Sequence, residues 1–515
     1  TLANGATLSV AYDSMNRPIR QVNALGGVTE IEYDLLGRIT RVTDPLGADT
    51  AYTYDKNGNL LTVTDALGNV TSYAYDALGR LIFETAPNGG VTRYAYDNTG
   101  NLLSIMDALG GVTRYQYDEN GNLVAMTDAL GETVSLEYNP NGSATIAIKK
   151  NGGVLATGYD KAGRVVSETD ANGHTTKYSY SRNGLVTKIT DALGQQASFA
   201  YDVLGNLVKI TAPGKAITLY EYDSAGRVLS MTDPEGCVTE YGYNENSQIA
   251  RMTVNGNATL YEYDAAGNIA AVTDAEGRRV EFAYDPNGNL TGIVYPDGTK
   301  DTTQYDALGR VLKNTPRTGL ATAYEYDVVG NIVSVTRGEQ ATRYAYDILG
   351  RMVAVTAPDG TETAYTYDAL GNLTGETDPL GNVTAFAYTA ESLLEKVTYA
   401  NGTTQSLTYD PAGNVTAETD AEGNTKEYQY DKVNRLTAVI DELGNKTSYK
   451  YDALDNIAQV TDALKHITRY TYDKNGNLLT ETDALGNRVQ YAYTPEGWLE
   501  SITRADGTVL TFEYD

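Results

Sequence analysis

Apolar and polar residues alternate along this chain in short runs, and the pattern restarts about every 21 residues. In residues 70–86, VTSYAYDALGRLIFETA, the positions Thr71, Tyr73 and Tyr75 alternate with Val70, Ser72 and Ala74, which is the period of a β-strand. Asp76-Ala77-Leu78-Gly79 then reads as a turn, and Leu81 to Thr85 as a second strand. A turn of the same form, Asp65-Ala66-Leu67-Gly68, leads into this stretch. Each repeat is therefore predicted to carry two strands and two Asp-x-x-Gly reversals, about ten residues apart.

A tyrosine marks the register. From Tyr12, Tyr33 and Tyr54 to Tyr514 there are twenty-five anchor positions; all are Tyr, and twenty are followed by Asp. Asn139, Ser181, Asn244, Thr389 and Thr494 are the exceptions at that second position. Twenty-two of the twenty-four intervals are 21 residues, and those ending at Tyr263 and Tyr346 are 20. No linker interrupts the count, so residues 1–515 are expected to form a single array of about twenty-four repeats, with no separate catalytic or toxin domain.

The columns of the repeat predict its chemistry. Four residues after the anchor, nineteen of twenty-four repeats have Gly; the others have Asn16, Ser247, Ser392, Asn434 and Asp455. Gly, Asn and Asp share tolerance of positive φ, so this position is expected to be left-handed, with Ser247 and Ser392 as weak points. The leading Asp can accept hydrogen bonds from backbone N–H groups ahead of it. Six residues after the anchor, twenty-two of twenty-four repeats have Leu, Ile, Val or Met, with Pro18 and Ala144 as exceptions. Two residues before the anchor, fifteen positions are Tyr and four are Phe. Of the 42 Tyr, only Tyr295 and Tyr399 lie outside these two columns. Strict alternation would pave one face with Tyr, Tyr/Phe and Leu, and place Ala, Ser and the Val63, Glu84, Ile105 column on the other.

These elements predict an all-β fold of consecutive antiparallel β-hairpins. About forty-eight strands at ~4.8 Å spacing give a sheet roughly 230 Å long but only ~23 Å wide. A strip of that length must twist and coil, so a spiralling sheet forming a tube or part of a hollow shell is expected. A parallel β-solenoid with rungs of this length is the rival; the paired Asp-x-x-Gly reversals favour hairpins.

Composition narrows the partners. With 39 Lys+Arg against 67 Asp+Glu the net charge is −28, which disfavours nucleic acid and anionic lipid. No apolar run approaches the ~18 residues of a membrane helix, so membrane insertion is not expected. The single cysteine, Cys237, excludes an internal disulfide. The start at Thr1-Leu2-Ala3-Asn4, without Met or a signal-peptide pattern, suggests a fragment or processed piece.

The motif Tyr-Asp-x-x-Gly-Arg/Asn-Leu, followed by Thr-Asp-x-x-Gly-Asn-x-Thr, resembles the YD repeats of bacterial Rhs proteins, shared with the Tc toxin shell component and with teneurins. The resemblance covers essentially the whole chain. It implies a strip of hairpins that spirals into a cocoon and, in the Rhs and Tc branches, encloses a toxic C-terminal domain. It also implies a secreted or cell-surface bacterial protein. Rhs cores usually end in an Asp-Pro-x-Gly-Leu motif linked to self-cleavage. Here Asp-Pro/x-Gly turns begin at Asp44, Asp233, Asp285, Asp378 and Asp410, none followed by Leu. The array is thus expected to line a chamber without supplying release or payload. An extracellular adhesion or carbohydrate-binding stalk is the alternative.

Candidate chemistry is sparse. His174 and His466 are the only histidines, each in a second turn, and no Ser-His-Asp arrangement recommends either. Cys237 reads as an exposed neutral substitution, and a zinc site would need more Cys and His than the chain has. One Asp per turn is what turn formation requires, so calcium is not expected. No catalytic, cofactor-binding or metal residue is assigned. The Tyr columns could stack on sugar rings of a surface glycan, but a packing role is preferred. The irregular stretch Ser143–Gly153 brings Lys149 and Lys150 to an acidic chain, and Ser392-Leu393 and Trp498 replace standard turn residues. Drift is preferred there over a contact site.

Overall fold

The structure, a computed structural model, describes residues 7–514. Among them are 49 strands, mostly of five or six residues, one short 3-10 turn at Pro213–Lys215, and no α-helix. The chain divides into two compact units. The first comprises Thr1–Glu132, Tyr243–Arg251 and Thr259–Thr384; the second comprises Thr133–Gly242, Met252–Ala258 and Ala385–Asp515. Within each unit, strands that follow one another in sequence pair antiparallel, as Val70–Tyr75 with Leu81–Thr85, and Leu81–Thr85 with Val91–Tyr96. The hairpin reading therefore holds and the parallel solenoid does not.

Each reversal is a tight loop, and most are locked by a leading Asp. In the turn after the anchor Tyr75, here the first turn of a repeat, Gly79 N–H donates to Asp76 O at 3.0 Å and Asp76 N–H donates to Arg80 O at 2.9 Å. The Asp76 carboxylate accepts from Leu78 N–H and Arg80 N–H at 2.9 and 3.0 Å through Oδ1, and from Arg80 Nε at 2.7 Å through Oδ2. Asn at the Arg position does the same, as Asn59 to Asp55 at 2.9 Å. This explains why Arg or Asn follows the turn glycine. Gly79 has φ 78°, and every non-glycine at this place is also left-handed: Asn16 60°, Ser247 63°, Ser392 60°, Asn434 64° and Asp455 67°. The two serines thus adopt the backbone that disfavours them. The two 20-residue repeats shorten their second turns to two residues. These are Asn255-Gly256, with both φ positive, and Gly338-Glu339, flanked by the pair Arg337 and Gln340.

One expectation about the faces is corrected. Tyr75 pairs with Leu81, as the loop length implies, but Ala74 then pairs with Phe83 and Tyr73 with Glu84. A β-bulge next to Tyr75 uses up one extra residue, Ile82, and reverses the alternation beyond it. The column of Val63, Glu84 and Ile105 therefore lies opposite Tyr52, Tyr73 and Tyr94, on the tyrosine face and not on the Ala/Ser face. Glu on this column is used there: Tyr94 and Tyr428 hydroxyls donate to Glu84 and Glu418 at 3.2 and 2.9 Å.

The bulge also gives the anchor a role. In most repeats its hydroxyl donates to the carbonyl of the residue that begins the bulged strand of the preceding repeat. Tyr54 reaches Ile39 O at 2.9 Å, Tyr201 reaches Val186 O at 2.8 Å and Tyr367 reaches Met352 O at 2.6 Å. The shortened repeats keep the bond, as Tyr263 to Ile249 O at 2.7 Å and Tyr346 to Ile332 O at 2.8 Å. Phenylalanine cannot make it, which separates this column from the one two residues earlier, where Phe199, Phe282 and Phe386 occur. Where Arg follows the turn glycine, its guanidinium stacks on the next anchor ring, as Arg38 on Tyr54 at 4.7 Å and Arg310 on Tyr326 at 4.4 Å.

These interactions matter because there is little deep core. Among the described residues the buried apolar side chains are Ala216, Ala271, Val397 and Ala438, and the aromatic columns are half-buried. Replacing Tyr367 by Phe is therefore expected to cost about 1 kcal/mol, the net value of a lost hydrogen bond, with faster amide exchange in residues 352–367. Tyr365→Phe, on the same strand, should leave exchange unchanged.

Candidate functional site: the seam between turn edges

In each unit, two runs of repeats distant in sequence meet turn to turn. In the first unit Asn23 Nδ2 donates to Pro286 O at 2.9 Å, Asn287 Nδ2 to Asp44 Oδ2 at 2.6 Å and Asn88 Nδ2 to Ile348 O at 3.0 Å. In the second, Asn172 Nδ2 donates to Asp410 Oδ2 at 2.9 Å and Asn475 Nδ2 to Asp233 Oδ2 at 2.7 Å, while Asn255 Nδ2 donates to Glu496 Oε1 at 3.2 Å. Backbone amides take part as well: Asn151 N–H donates to Glu391 Oε1 at 3.0 Å, and Lys474 N–H to Glu235 Oε1 at 2.8 Å. The polarity is constant. The second turns of the earlier run always face the first turns of the later run, some 238 to 264 residues on.

Several second turns of the earlier run carry small residues, although the seam turn at Asp170 carries His174. Directly after the turn glycine, or in its place, stand Gly27, Ala48, Gly90, Gly111, Gly153 and Ala216. Gly27, Gly90, Gly153 and Ala216 are buried. A Cβ on Gly90 would lie 3.3 Å from Ile348 O, and one on Gly153 would lie 3.2 Å from Pro411 O. Those carbonyls accept from Asn88 and Asn151. The second turns of the later runs carry Thr361, Asn382, Asn424, Asn445 and Asn487 at this place, all exposed. The sequence reading missed this seam, although the column of small residues confined to the first half was a visible signal.

The RHS repeat family model matches nineteen overlapping windows, which together cover residues 33–91, 96–145, 159–467 and 472–509. The chain belongs to the RHS repeat family. No curated protein matches it. Among solved structures it is similar to the crystal structures of TcdB2-TccC3-TEV, of TcdB2-TccC3 without hypervariable C-terminal region, and of TcdB2-TccC3-Cdc42. The TM-scores are 0.56, 0.55 and 0.54, and the identities 16%, 16% and 17%. These alignments cover 99%, 98% and 99% of this chain but 32%, 34% and 33% of those chains, so the array spans about a third of their length. At this identity the likeness concerns the fold, an RHS-repeat scaffold.

Placed on these repeats, the singled-out residues take structural roles. His466 Nδ1 lies 2.9 Å and His174 Nδ1 3.4 Å from the Asp that leads its own turn, Asp462 and Asp170, where other repeats have Asn or Arg. Cys237 is half-buried, not exposed as expected, because it occupies the small-residue column. Burial first, then the nearby carboxylates Asp233 and Glu496, push its thiol pKa up. The irregular stretch at Lys149–Gly153 is a seam contact: Lys149 Nζ donates to Pro411 O at 3.2 Å, and Glu391 lies in the turn that contains Ser392. Trp498 is exposed and stacks on Tyr514, with ring centroids 5.2 Å apart. The two tyrosine columns hydrogen-bond and pack within the sheet, and no cluster of three metal-ligating side chains occurs among the described residues.

Several turn carboxylates have a lowered pKa. At Asp97 a hydrogen bond from the Thr99 hydroxyl, helped by Asn101, lowers the pKa from 3.8 to about 2. At Asp410 burial opposes ionisation, but the amides of Asn414 and Asn172 outweigh it and keep the pKa below the usual value. Asp160 is lowered chiefly by the Arg164 side chain. A depressed folded-state pKa contributes stability that is complete above the unfolded value and is lost as pH falls through the folded one. Melting temperature should therefore hold down to about pH 4 and drop steeply between there and about pH 2, as followed by circular dichroism. The seam has its own test. Gly90→Val should speed amide exchange at residues 86–90 and 346–351 roughly tenfold, the ~1.4 kcal/mol typical of overpacking. Thr361→Val, at the same place in an exposed turn, should change nothing.

Proposed function

We propose that this array, residues 1–515 acting as one non-catalytic strip, is wall material: part of a β-shell that encloses a toxic C-terminal domain of a secreted RHS protein. The observation that carries the reading is the seam. Within each unit, separate runs of hairpins are joined edge to edge, second turns against first turns, by hydrogen bonds donated from both sides, which is what a continuous wall needs and what an extended stalk does not. The similarity to TcdB2-TccC3, one structure of which lacks a hypervariable C-terminal region, supports the same reading. The acidic surface, with net charge −28, suits a protein exported without nucleic-acid partners.

The test is protection. In the full-length protein that contains this array, a domain C-terminal to it should resist added protease. It should become cleavable when the seam's amide donors are replaced by repelling carboxylates, Asn172→Asp and Asn475→Asp, opposite Asp410 and Asp233. Cleavage of that domain at the same rate in both proteins would reject enclosure. Specific retention on a glycan array with an unprotected C-terminal domain would favour the surface-stalk reading instead.

A further inference from the structure

Six asparagines that donate across the seam stand directly before a glycine: Asn88, Asn151, Asn172, Asn255, Asn287 and Asn475. The turn explains the pair, because the glycine holds the left-handed position and the residue before it reaches the opposite run. The pair also has a reactivity of its own. With no Cβ on glycine, its backbone nitrogen can approach the asparagine Cγ closely. Attack forms an N–Cγ bond and closes a five-membered succinimide. The Cγ–Nδ2 bond breaks, and the glycine N–H proton passes through solvent to the departing amide, which leaves as ammonia. One water then opens the ring to aspartate or isoaspartate. Asparagine plus water thus gives an acid plus ammonia, and no other reagent is needed.

The seam holds these amides unequally. At Asn88 and Asn151 both ends are bound. Nδ2 donates to the carbonyl opposite at 3.0 and 3.2 Å, and Oδ1 accepts from Gly90 and Gly153 N–H at 3.0 and 2.9 Å. The side chain cannot turn onto the glycine nitrogen without losing two bonds. At Asn287 and Asn475, Nδ2 donates to Asp44 and Asp233 Oδ2 at 2.6 and 2.7 Å, and no described residue donates to Oδ1. Both residues are exposed. Asn475 is the less restrained. Its attacking group, Gly476 N–H, donates to Asp473 O at 3.3 Å, against 2.9 Å for Gly288 N–H to Asp285 O. What opposes the reaction at Asn475 is charge: Asp233, Glu235 and Asp473 all contact this turn and disfavour the negative charge that builds on the nitrogen as its proton leaves.

We propose that Asn475, with Asn287 next, is a self-deamidation site at which the seam ages, and that the carboxylate across the seam delays the reaction. While the seam is closed, the bond from Nδ2 keeps the amide off the glycine nitrogen; each opening releases it. The product then destroys its own seat. Aspartate at 475 sets a carboxylate against Asp233 where an amide donated, and isoaspartate also adds a methylene to the turn backbone. The change runs one way, because the ammonia is lost. This inference rests on the seam alone and holds whatever the wall encloses.

Both steps can be followed on the full chain in mildly alkaline buffer, with peptide mass spectrometry locating the one-dalton gain and the isoaspartate. In the wild-type chain Asn475 should be modified before Asn88 and Asn151. Asp233→Ser removes the acceptor yet keeps a turn of the kind led by Ser181, whose Oγ accepts from Leu185 N–H at 3.2 Å. It should speed deamidation at Asn475 roughly tenfold, the effect of losing one hydrogen bond to a charged group. Asn287, in the other unit, should keep its rate. Amide exchange at residues 233–237 should rise in step with the modified fraction, and Asn475→Asp should show the full rise at once. If Asp233→Ser loses its β circular-dichroism signal, Asp44→Ser with Asn287 as the reporter is read in the same way. Equal rates at Asn475 in the wild type and the folded variant, zero included, would overturn the proposal. So would modification of Asn88 and Asn151 ahead of Asn475, or a modified chain whose seam exchange is unchanged.

Discussion

The interaction on which the strip depends is the hydrogen bond that most anchor tyrosine hydroxyls make to the carbonyl at the start of the previous bulged strand. A bulge disturbs the ladder and leaves a backbone acceptor in need of a partner. Tyr367 supplies that partner at Met352, and Tyr201 supplies it at Val186. The ring spans from one repeat to the one before, so the bond couples neighbours as well as satisfying a carbonyl. Among the described residues the buried apolar side chains are three alanines and a valine, so stability must come from such neighbour terms more than from a common core. The arginine that caps its own turn Asp and stacks on the next anchor ring adds a second link in the same direction.

The turn aspartates serve two ends. Inward, Oδ1 takes two backbone N–H groups and fixes the loop; outward, Oδ2 is available either to the Asn or Arg of the same turn or to an amide from across the seam. Asp44 and Asp233 show the exchange, because their own turns end in Ala48 and Cys237, which leave Oδ2 to Asn287 and Asn475. At Asp410 the oxygen is shared between Asn414 and Asn172. A small residue after the turn glycine thus frees the carboxylate for another run, while Asn there shares it or keeps it within the turn.

Much of this fold was legible from single residues. The two-strand repeat, the turns and the left-handed position followed from alternation and from the substitution of Gly by Asn and Asp, and the structure places even Ser247 and Ser392 at positive φ. The faces were not legible by the same means. Alternation counted from Leu81 puts Glu84 on the wrong side, because a bulge is a one-residue event with no composition of its own; its trace was the restriction of the anchor to Tyr. The seam was hidden for a different reason. It joins residues some 240 to 260 apart, which no local period encodes.

That seam bears on how a repeat array acquires distinct surfaces. Every repeat must keep the residues that make its hairpin, so differences between edges can reside only in positions the hairpin leaves open. The residue after the turn glycine is such a position. The same backbone takes Gly at 153, where the turn is buried against Pro411, and Asn at 445, where it faces solvent. Variation in this column can thus favour close joining of runs without disturbing the tyrosine bond that holds most repeats together. Local folding and long-range assembly are written in separate positions of the same 21-residue repeat.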